Sequence, residues 1–316
     1  MPPLLVIVGP TAVGKTALSL RLAAEFGGEI VSADSRLLYR GLDIGTAKPA
    51  PAERSQVPHH LIDICSPDER LSLGAYQQLA YAAIEAIQAR GRLPILVGGT
   101  GQYVRAVTQG WSVPRVPPRP RLRAALRTLG QEEAARWLSR LDPPAAGRIH
   151  PNNLRRVVRA LEVILTTGRP MSELQRRRPP PYAILTLGLT AGRRTLHDRA
   201  DARVDAMLAG GLLAEVCALK EAGFGADLPA MSGLGYRQLL AYLDGEFEYD
   251  AAVERIKYDT HRLIRQQATW FRPDDRSIRW LSVERADWQA AAIREVATWL
   301  SAWPGTWAAG TVSEAS

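Results

Sequence analysis

The octapeptide Gly9-Pro10-Thr11-Ala12-Val13-Gly14-Lys15-Thr16 has the spacing G-x-x-x-x-G-K-[ST]. Residue types in this order grip phosphate. Glycines let backbone N–H groups converge on phosphate oxygens, Lys15 adds a point charge, and the Thr16 hydroxyl can reach Mg²⁺. The chain has only four lysines, so a match arising from composition alone is on the order of one in a few hundred. The loop does not by itself distinguish phosphate that is transferred from phosphate that is hydrolysed or expelled.

A carboxylate follows at the end of the next apolar run, Ile30-Val31-Ser32-Ala33-Asp34. Asp34 has three readings: a Mg²⁺ organiser of the kind found in nucleoside triphosphatases, a helix cap, or a general base. Spacing alone does not choose among them. His59 and His60 lack a carboxylate motif beside Pro58 and read as structural. Cys65 and Cys217 are solitary, which indicates neither a disulfide framework nor a zinc site. Trp270 and Phe271 read as core residues.

Charge is concentrated in one place. The net charge is +8, yet the segment from Arg115 to Pro181 holds fifteen arginines, no lysine and five acids, a balance of +10. The planar fork of arginine suits phosphate, so this segment is the candidate nucleic-acid face. Arg155, Arg156 and Arg159 lie on one helical pattern, where a merely solvated face is the competing reading.

The elements that must position these residues follow from periodicity. Leu4 to Val8, Glu29 to Ser32, Leu93 to Val97 and Ala183 to Leu189 read as strands, and helical patterns separate them, as in Tyr76 to Arg90. This alternation predicts an α/β, P-loop-type fold: a mostly parallel sheet with helices on both faces, and ligands beyond the carboxyl ends of the strands. The loop, Asp34 and Thr100 would then share one edge. Proline-rich stretches around Pro117 and Pro180 bracket the arginine-rich segment, whose patterns (Arg121 to Leu129, Glu132 to Leu141, Asn153 to Thr167) are helical. A small helical domain is therefore expected at 115–181, inserted into a core of 1–114 and 182–316. Leu196 to Gly223 and Ala251 to Phe271 read as helical, and the tail after Trp303 as frayed. No run approaches the ~18 apolar residues of a membrane span, and the start lacks a secretory signal, so a cytoplasmic protein is expected.

Several further runs extend the pattern. Tyr39-Arg40-Gly41-Leu42-Asp43-Ile44-Gly45-Thr46-Ala47-Lys48-Pro49 follows Ser32-Ala33-Asp34-Ser35, and later come Val57 to Asp63, Gly98-Gly99-Thr100-Gly101 with Tyr103, Arg159 to Val163, Gly235-Tyr236-Arg237-Gln238 and Thr269-Trp270-Phe271-Arg272. Together with the phosphate loop, these runs resemble the tRNA dimethylallyltransferase, or tRNA isopentenyltransferase, family. The likeness spans most of the chain, and the run from Tyr39 to Pro49 is its most specific part. Gln102 and Gln266 depart from the family pattern, and no Cys-His cluster resembling a zinc finger follows Phe271.

The resemblance implies transfer of a dimethylallyl group from dimethylallyl diphosphate to N6 of the adenosine at tRNA position 37, with loss of pyrophosphate. Gly9 to Thr16 would hold the diphosphate with Mg²⁺ at Thr16, Thr11 and Arg203 would contact its oxygens, and Asp34 would take the N6 proton. The anticodon loop would be contacted by Asp34, Ser35, Arg36, Leu37, Thr100, Arg123, Arg155, Arg156, Val157, Val158 and Arg159. A monomer without membrane partners is expected. Without the resemblance, Arg203 reads as one arginine of an amphipathic helix that could pair with Asp201 or Asp205. Three other functions compete: an enzyme prenylating free AMP, for which the arginine-rich segment is superfluous; a P-loop kinase, for which no lid is apparent; and a non-catalytic RNA-binding module.

Overall fold

A computed structural model describes residues 1–114 and 116–303; Arg115, which opens the expected insertion, and the tail after Trp303 lie outside them. In chain order the elements are β1 (Pro3–Val8), α1 (Lys15–Phe26), β2 (Gly28–Ser32), α2 (Pro51–Gln56), β3 (His59–His60), α3 (Leu73–Ala89), β4 (Leu93–Val97) and α4 (Gly101–Thr108). Helices α5 (Pro120–Thr128), α6 (Gly130–Leu141), α7 (Pro143–Ala146), α8 (Leu154–Thr167) and α9 (Met171–Leu174) follow. The chain returns through β5 (Ala183–Thr190), α10 (Arg193–Ala209), α11 (Leu212–Glu221), α12 (Tyr236–Leu243), α13 (Tyr249–Ala268), β6 (Ile278–Ser282) and α14 (Trp288–Ser301).

The six strands form one sheet in the order β3-β2-β4-β1-β5-β6, and every neighbouring pair is parallel. All six residues of β1 are buried. Leu5 and Ile7 pack with Leu18 and Leu22 of α1 and with Ala292 and Val296 of α14. Leu4, Val6 and Val8 point to the opposite face and are equally inaccessible. A strand covered on both faces reads as a continuous apolar run, the pattern that exposes β1 in the sequence. A second cluster ties Tyr39 and Leu42 to Val204, Leu212, Tyr236 and Ile256, fixing α10 through α13 beside the loop after β2.

The chain folds as two compact units, one formed by 1–104 with 181–316 and the other by 105–180. The division falls inside α4 and not at the proline-rich stretch near residue 115. The smaller unit has its own core of Leu126, Leu138, Val157, Val158, Leu161 and Ile164. Its most constrained polar group is the Glu162 carboxylate, inaccessible to solvent in α8. It accepts from Arg119 N (2.7 Å), Arg123 Nε and Nη2 (both 2.8 Å) and Arg159 Nη1 (2.6 Å). Burial would raise its pKa, but these donors outweigh burial and hold it down at about 2.

Removing one partner of a buried ion pair strands the others. Glu162→Ala should therefore destabilise the protein by about 3 kcal/mol in urea unfolding at neutral pH. The carboxylate contributes fully above its ordinary value of 4.5, and this contribution is lost as pH falls toward about 2. The gap between wild type and variant should close over that window; a gap independent of pH would show that the carboxylate's charge is not what stabilises the fold.

Candidate active site

The phosphate loop leaves β1 at Gly9, whose φ of +145° is open to glycine. A Cβ there would lie 2.6 Å from the Leu189 carbonyl oxygen of β5. The turn continues through Ala12 at φ +63° and Gly14 at φ +100°. Gly14 caps α1 without any side-chain hydrogen bond, so the first N–H groups of α1 are not consumed by a capping side chain. Ala12 and Val13 are buried in the core, and the Thr16 side chain is exposed. Lys15 Nζ donates to Gly9 O (3.0 Å) and Pro10 O (2.7 Å). Burial lowers the Lys15 pKa to about 8; Asp34 pulls it upward and Arg203 pushes it further down.

Those two influences put Asp34 and Arg203 within electrostatic reach of Lys15. Asp34 is half-buried, and its Oδ1 accepts from Arg36 N at 2.8 Å. No carboxylate–cation pair within 4.0 Å involves it among the described residues. Thr100 lies beside it: its Oγ1 accepts from Ser35 N (3.2 Å), and its own N–H donates to Ala33 O (3.3 Å). Arg203 has no acidic partner among the described residues, because Asp201 accepts from His261 (2.8 Å) and Asp205 pairs with Lys257 (2.7 Å). The ion pairs open to Arg203 from the sequence are thus taken by other groups. Lys15 and Arg203 lie within electrostatic reach of each other, and neither forms a direct ion pair with an acid among the described residues.

Several expected contacts have other roles. Arg36 donates to Pro229 O (2.7 Å) and Ser232 Oγ (3.2 Å), strapping the loop after β2 to the turn before α12; it is not a free phosphate ligand. Leu37 is half-buried and its carbonyl accepts from Asp63 N (3.1 Å). Val157 and Val158 lie in the core of the smaller unit, at 1% and 2% exposure, and cannot contact RNA with their side chains. Arg123 and Arg159 are committed to Glu162. Arg155 and Arg156 are exposed and have no ion pair among the described residues. His60 Nε2 bonds to Glu29 (2.7 Å) and His59 Nδ1 to Val57 O (2.7 Å), in keeping with structural roles.

Two positioning residues escape the sequence reading. Gln267, buried in α13, accepts from Thr11 N at 2.8 Å and donates to Gly99 O at 3.3 Å, tying the phosphate loop to the loop after β4. The signal was available: Ile256, Thr260, Ile264, Gln267 and Phe271 form one helical stripe, and an amide on such a stripe needs polar partners. Glu215 accepts from the N–H groups of Asp43 (3.1 Å), Ile44 (2.8 Å) and Gly45 (3.3 Å), and from the Tyr236 hydroxyl (2.5 Å). Lys48, almost inaccessible, reaches Tyr39 O (2.9 Å), Asp63 (2.5 Å) and Asp43. This web accounts physically for the specificity of the run from Tyr39 to Pro49.

The profile of the family described as IPP transferase matches residues 37–274. The tRNA dimethylallyltransferase of Roseiflexus sp. (strain RS-1) is 56% identical over 96% of this chain and 100% of its own length. That of Thermomicrobium roseum is 53% identical over 90% of this chain and 88% of its own. Among solved structures, the full-length tRNA isopentenylpyrophosphate transferase of Bacillus halodurans superposes with a TM-score of 0.72 at 39% identity, covering 95% of this chain and 97% of that one. A eukaryotic dimethylallyltransferase acting on tRNA gives 0.83 at 28% identity, covering 98% and 82%. The matched profile and these identities show that this chain belongs to the IPP transferase family.

Proposed function

We propose that the protein transfers the dimethylallyl group of dimethylallyl diphosphate to N6 of the adenosine at tRNA position 37, giving N6-isopentenyladenosine. The observation that carries this reading is the grouping of Lys15 and Arg203, neither in a direct ion pair among the described residues, with a half-buried carboxylate, Asp34, which follows β2, two places from β1 in the sheet. Cations suit a diphosphate leaving group, and a carboxylate suits an amine that must lose a proton.

In this mechanism N6 attacks C1 of the prenyl group while the C1–O bond breaks. The electron pair departs on pyrophosphate, held by the N–H groups of the loop, Lys15 and Arg203. Asp34, oriented by the Arg36 N–H, accepts the N6 proton, so no charge accumulates on the base. Thr11 is held in place by Gln267 and presents its hydroxyl to the donor. Position 37 lies in an anticodon loop, and its base must leave the stack to reach Asp34.

Mg²⁺ fits the residues present. It prefers hard oxygens and takes few protein ligands when phosphates supply the rest. Thr16 offers one exposed hydroxyl at the start of α1, and no cluster of three acids, histidines or cysteines occurs among the described residues. Thr16 would thus hold the ion against the diphosphate, where it would neutralise charge developing on the leaving group. No helix among the described residues is long and apolar enough to cross a membrane, and we take the protein to act in the cytoplasm as a monomer.

Asp34→Ala should reduce turnover roughly 10²-fold or more in a nucleoside assay while tRNA binding stays within a few fold; unchanged turnover would remove Asp34 from proton transfer. Because Lys15 titrates near 8, pyrophosphate binding measured by calorimetry should weaken as pH rises through about 8, and a flat profile to pH ~9.5 would show that its charge is not used. Arg155→Ala with Arg156→Ala should weaken tRNA binding and lower its salt slope by about two without altering stability. Arg159→Ala should instead lower stability, since its partner is Glu162. If incubation with dimethylallyl diphosphate prenylates AMP and leaves unmodified tRNA untouched, the tRNA reading is wrong.

A further inference from the structure

Tyr103 stands in the first turn of α4, three residues after Thr100, and takes no part in the transfer steps carried by Asp34, Lys15 and Arg203. Its backbone N–H donates to Thr100 O (2.8 Å), and Thr100 is itself tied to Ala33 and Ser35. Its ring stacks on Tyr76, with centroids 3.8 Å and planes 20° apart. Tyr76 is wholly buried in α3, and its hydroxyl donates to Ser32 O at 2.9 Å, two residues before Asp34. Ring and carboxylate are therefore held by one framework, the end of β2 against the start of α4.

The Tyr103 side chain ends without a partner. The residue is 9% exposed, and its hydroxyl makes no hydrogen bond among the described residues. There, the unpaired side-chain atoms that are fully buried belong to Thr166, His197 and Trp280, so the Tyr103 hydroxyl keeps some surface open. Burial above all, with the neighbouring Tyr39 and Asp34, raises its pKa to about 12, which leaves it a protonated donor at neutral pH. Asp34 is its complement. Oδ1 is taken by Arg36 N (2.8 Å), and Oδ2 has no hydrogen bond among the described residues. A rigid donor and an open acceptor thus stand within electrostatic reach of each other.

We propose that the Tyr103 hydroxyl donates to N1 of the acceptor adenine while the open Asp34 oxygen accepts from N6, so that the two groups read the Watson–Crick edge of the base. This inference rests on the reading of Asp34 as the group that takes the N6 proton. A ring-nitrogen lone pair beside an amino group is what adenine presents on that edge. Guanine presents a carbonyl oxygen beside an N–H, which sets its O6 against the carboxylate. The stack on Tyr76 fixes the ring before the base arrives, so little order remains to be imposed on binding. The contact also assists the chemistry. A hydrogen bond at N1 draws electron density out of the purine and eases release of the N6 proton to Asp34 as the N6–C1 bond forms. The prenyl group has no lone pair to offer the hydroxyl in place of N1.

Steady-state prenylation by the full chain with dimethylallyl diphosphate and Mg²⁺ tests this, on tRNA carrying adenosine, 1-deazaadenosine or 7-deazaadenosine at position 37. Tyr103→Phe keeps the stack on Tyr76 and removes only the hydroxyl. It should lower kcat/KM on adenosine about tenfold, the worth of one net hydrogen bond, with the urea-unfolding midpoint and pyrophosphate affinity unchanged. 1-Deazaadenosine lacks the N1 lone pair, so it should cost the wild type a similar factor and cost the variant no more than about twofold. Two losses that multiply overturn the contact, as does full activity of Tyr103→Phe on adenosine. A loss with 7-deazaadenosine that the variant does not share puts the donor at N7 and overturns the N1 assignment. Weaker pyrophosphate binding by Tyr103→Phe gives the hydroxyl to the donor substrate instead. Failure of the wild type to prenylate tRNA with adenosine at position 37 overturns the functional reading and this inference together, whereas the other outcomes leave that reading intact.

Discussion

Between the carboxyl ends of β2 and β4 there is room for backbone only. A Cβ on Gly98 would lie 2.1 Å from the Ala33 carbonyl oxygen, far inside any tolerable approach. Ala33 N donates to Val97 O at 2.7 Å across the same gap. This closeness lets Thr100 reach Ser35, and it turns the chain so that Asp34 emerges at the sheet edge instead of continuing the strand. Gln267 then couples the same region to Thr11. Close packing of main chain against main chain is thus what converts two strand ends and a loop into one site.

Electrostatics separates this site from the rest of the molecule. Elsewhere, buried acids are saturated: Glu29 is held by Arg90 and His60, Asp259 by Arg237 and Gln238, Glu162 by Arg123 and Arg159. Each has its pKa lowered because donors outweigh burial. At the loop the balance is reversed. Lys15 is desolvated and has only carbonyls as direct partners; the attraction of Asp34 and the repulsion of Arg203 act on it from a distance, and burial still lowers its pKa. The fold tolerates positive charge here that it neutralises around those acids, which is the pattern expected of a site awaiting an anion.

What the sequence made legible was local. Four strands, the phosphate loop and most helices of the smaller unit declare themselves through period and spacing. The two edge strands do not: β3 is two residues long, and β6, Ile-Arg-Trp-Leu-Ser, has no continuous apolar run. The long helical reading of Leu196 to Gly223 breaks at Gly210 and Gly211, where Gly211 sits at φ +97° to start α11. Arginines were harder still. Arg155 and Arg159 look alike on a helical wheel, and only the position of Glu162 one turn onward, with Arg123 brought in from α5, shows that one is exposed and the other structural. Arg36 was illegible for the same reason, since its partners lie far away in the chain; the position of Gln267 on an apolar stripe announced its burial but not its partners.

The sheet order has a consequence for how the protein is made. β1 lies at the centre, paired with β4 and with β5, and its register matches Pro3 to Ala183. On a ribosome delivering residues from the amino end, β1 can pair with β4 early, yet its other edge must wait until the whole segment 105–180 has been synthesised. That segment has a core of its own and can collapse during the interval. Meanwhile an apolar strand presents unpaired N–H and C=O groups, the kind of edge that recruits foreign strands. Closing a loop of this length costs little more entropy than closing one half as long, but it takes time. The length of the arginine-rich unit thus sets the delay before the second edge of the central strand can be paired.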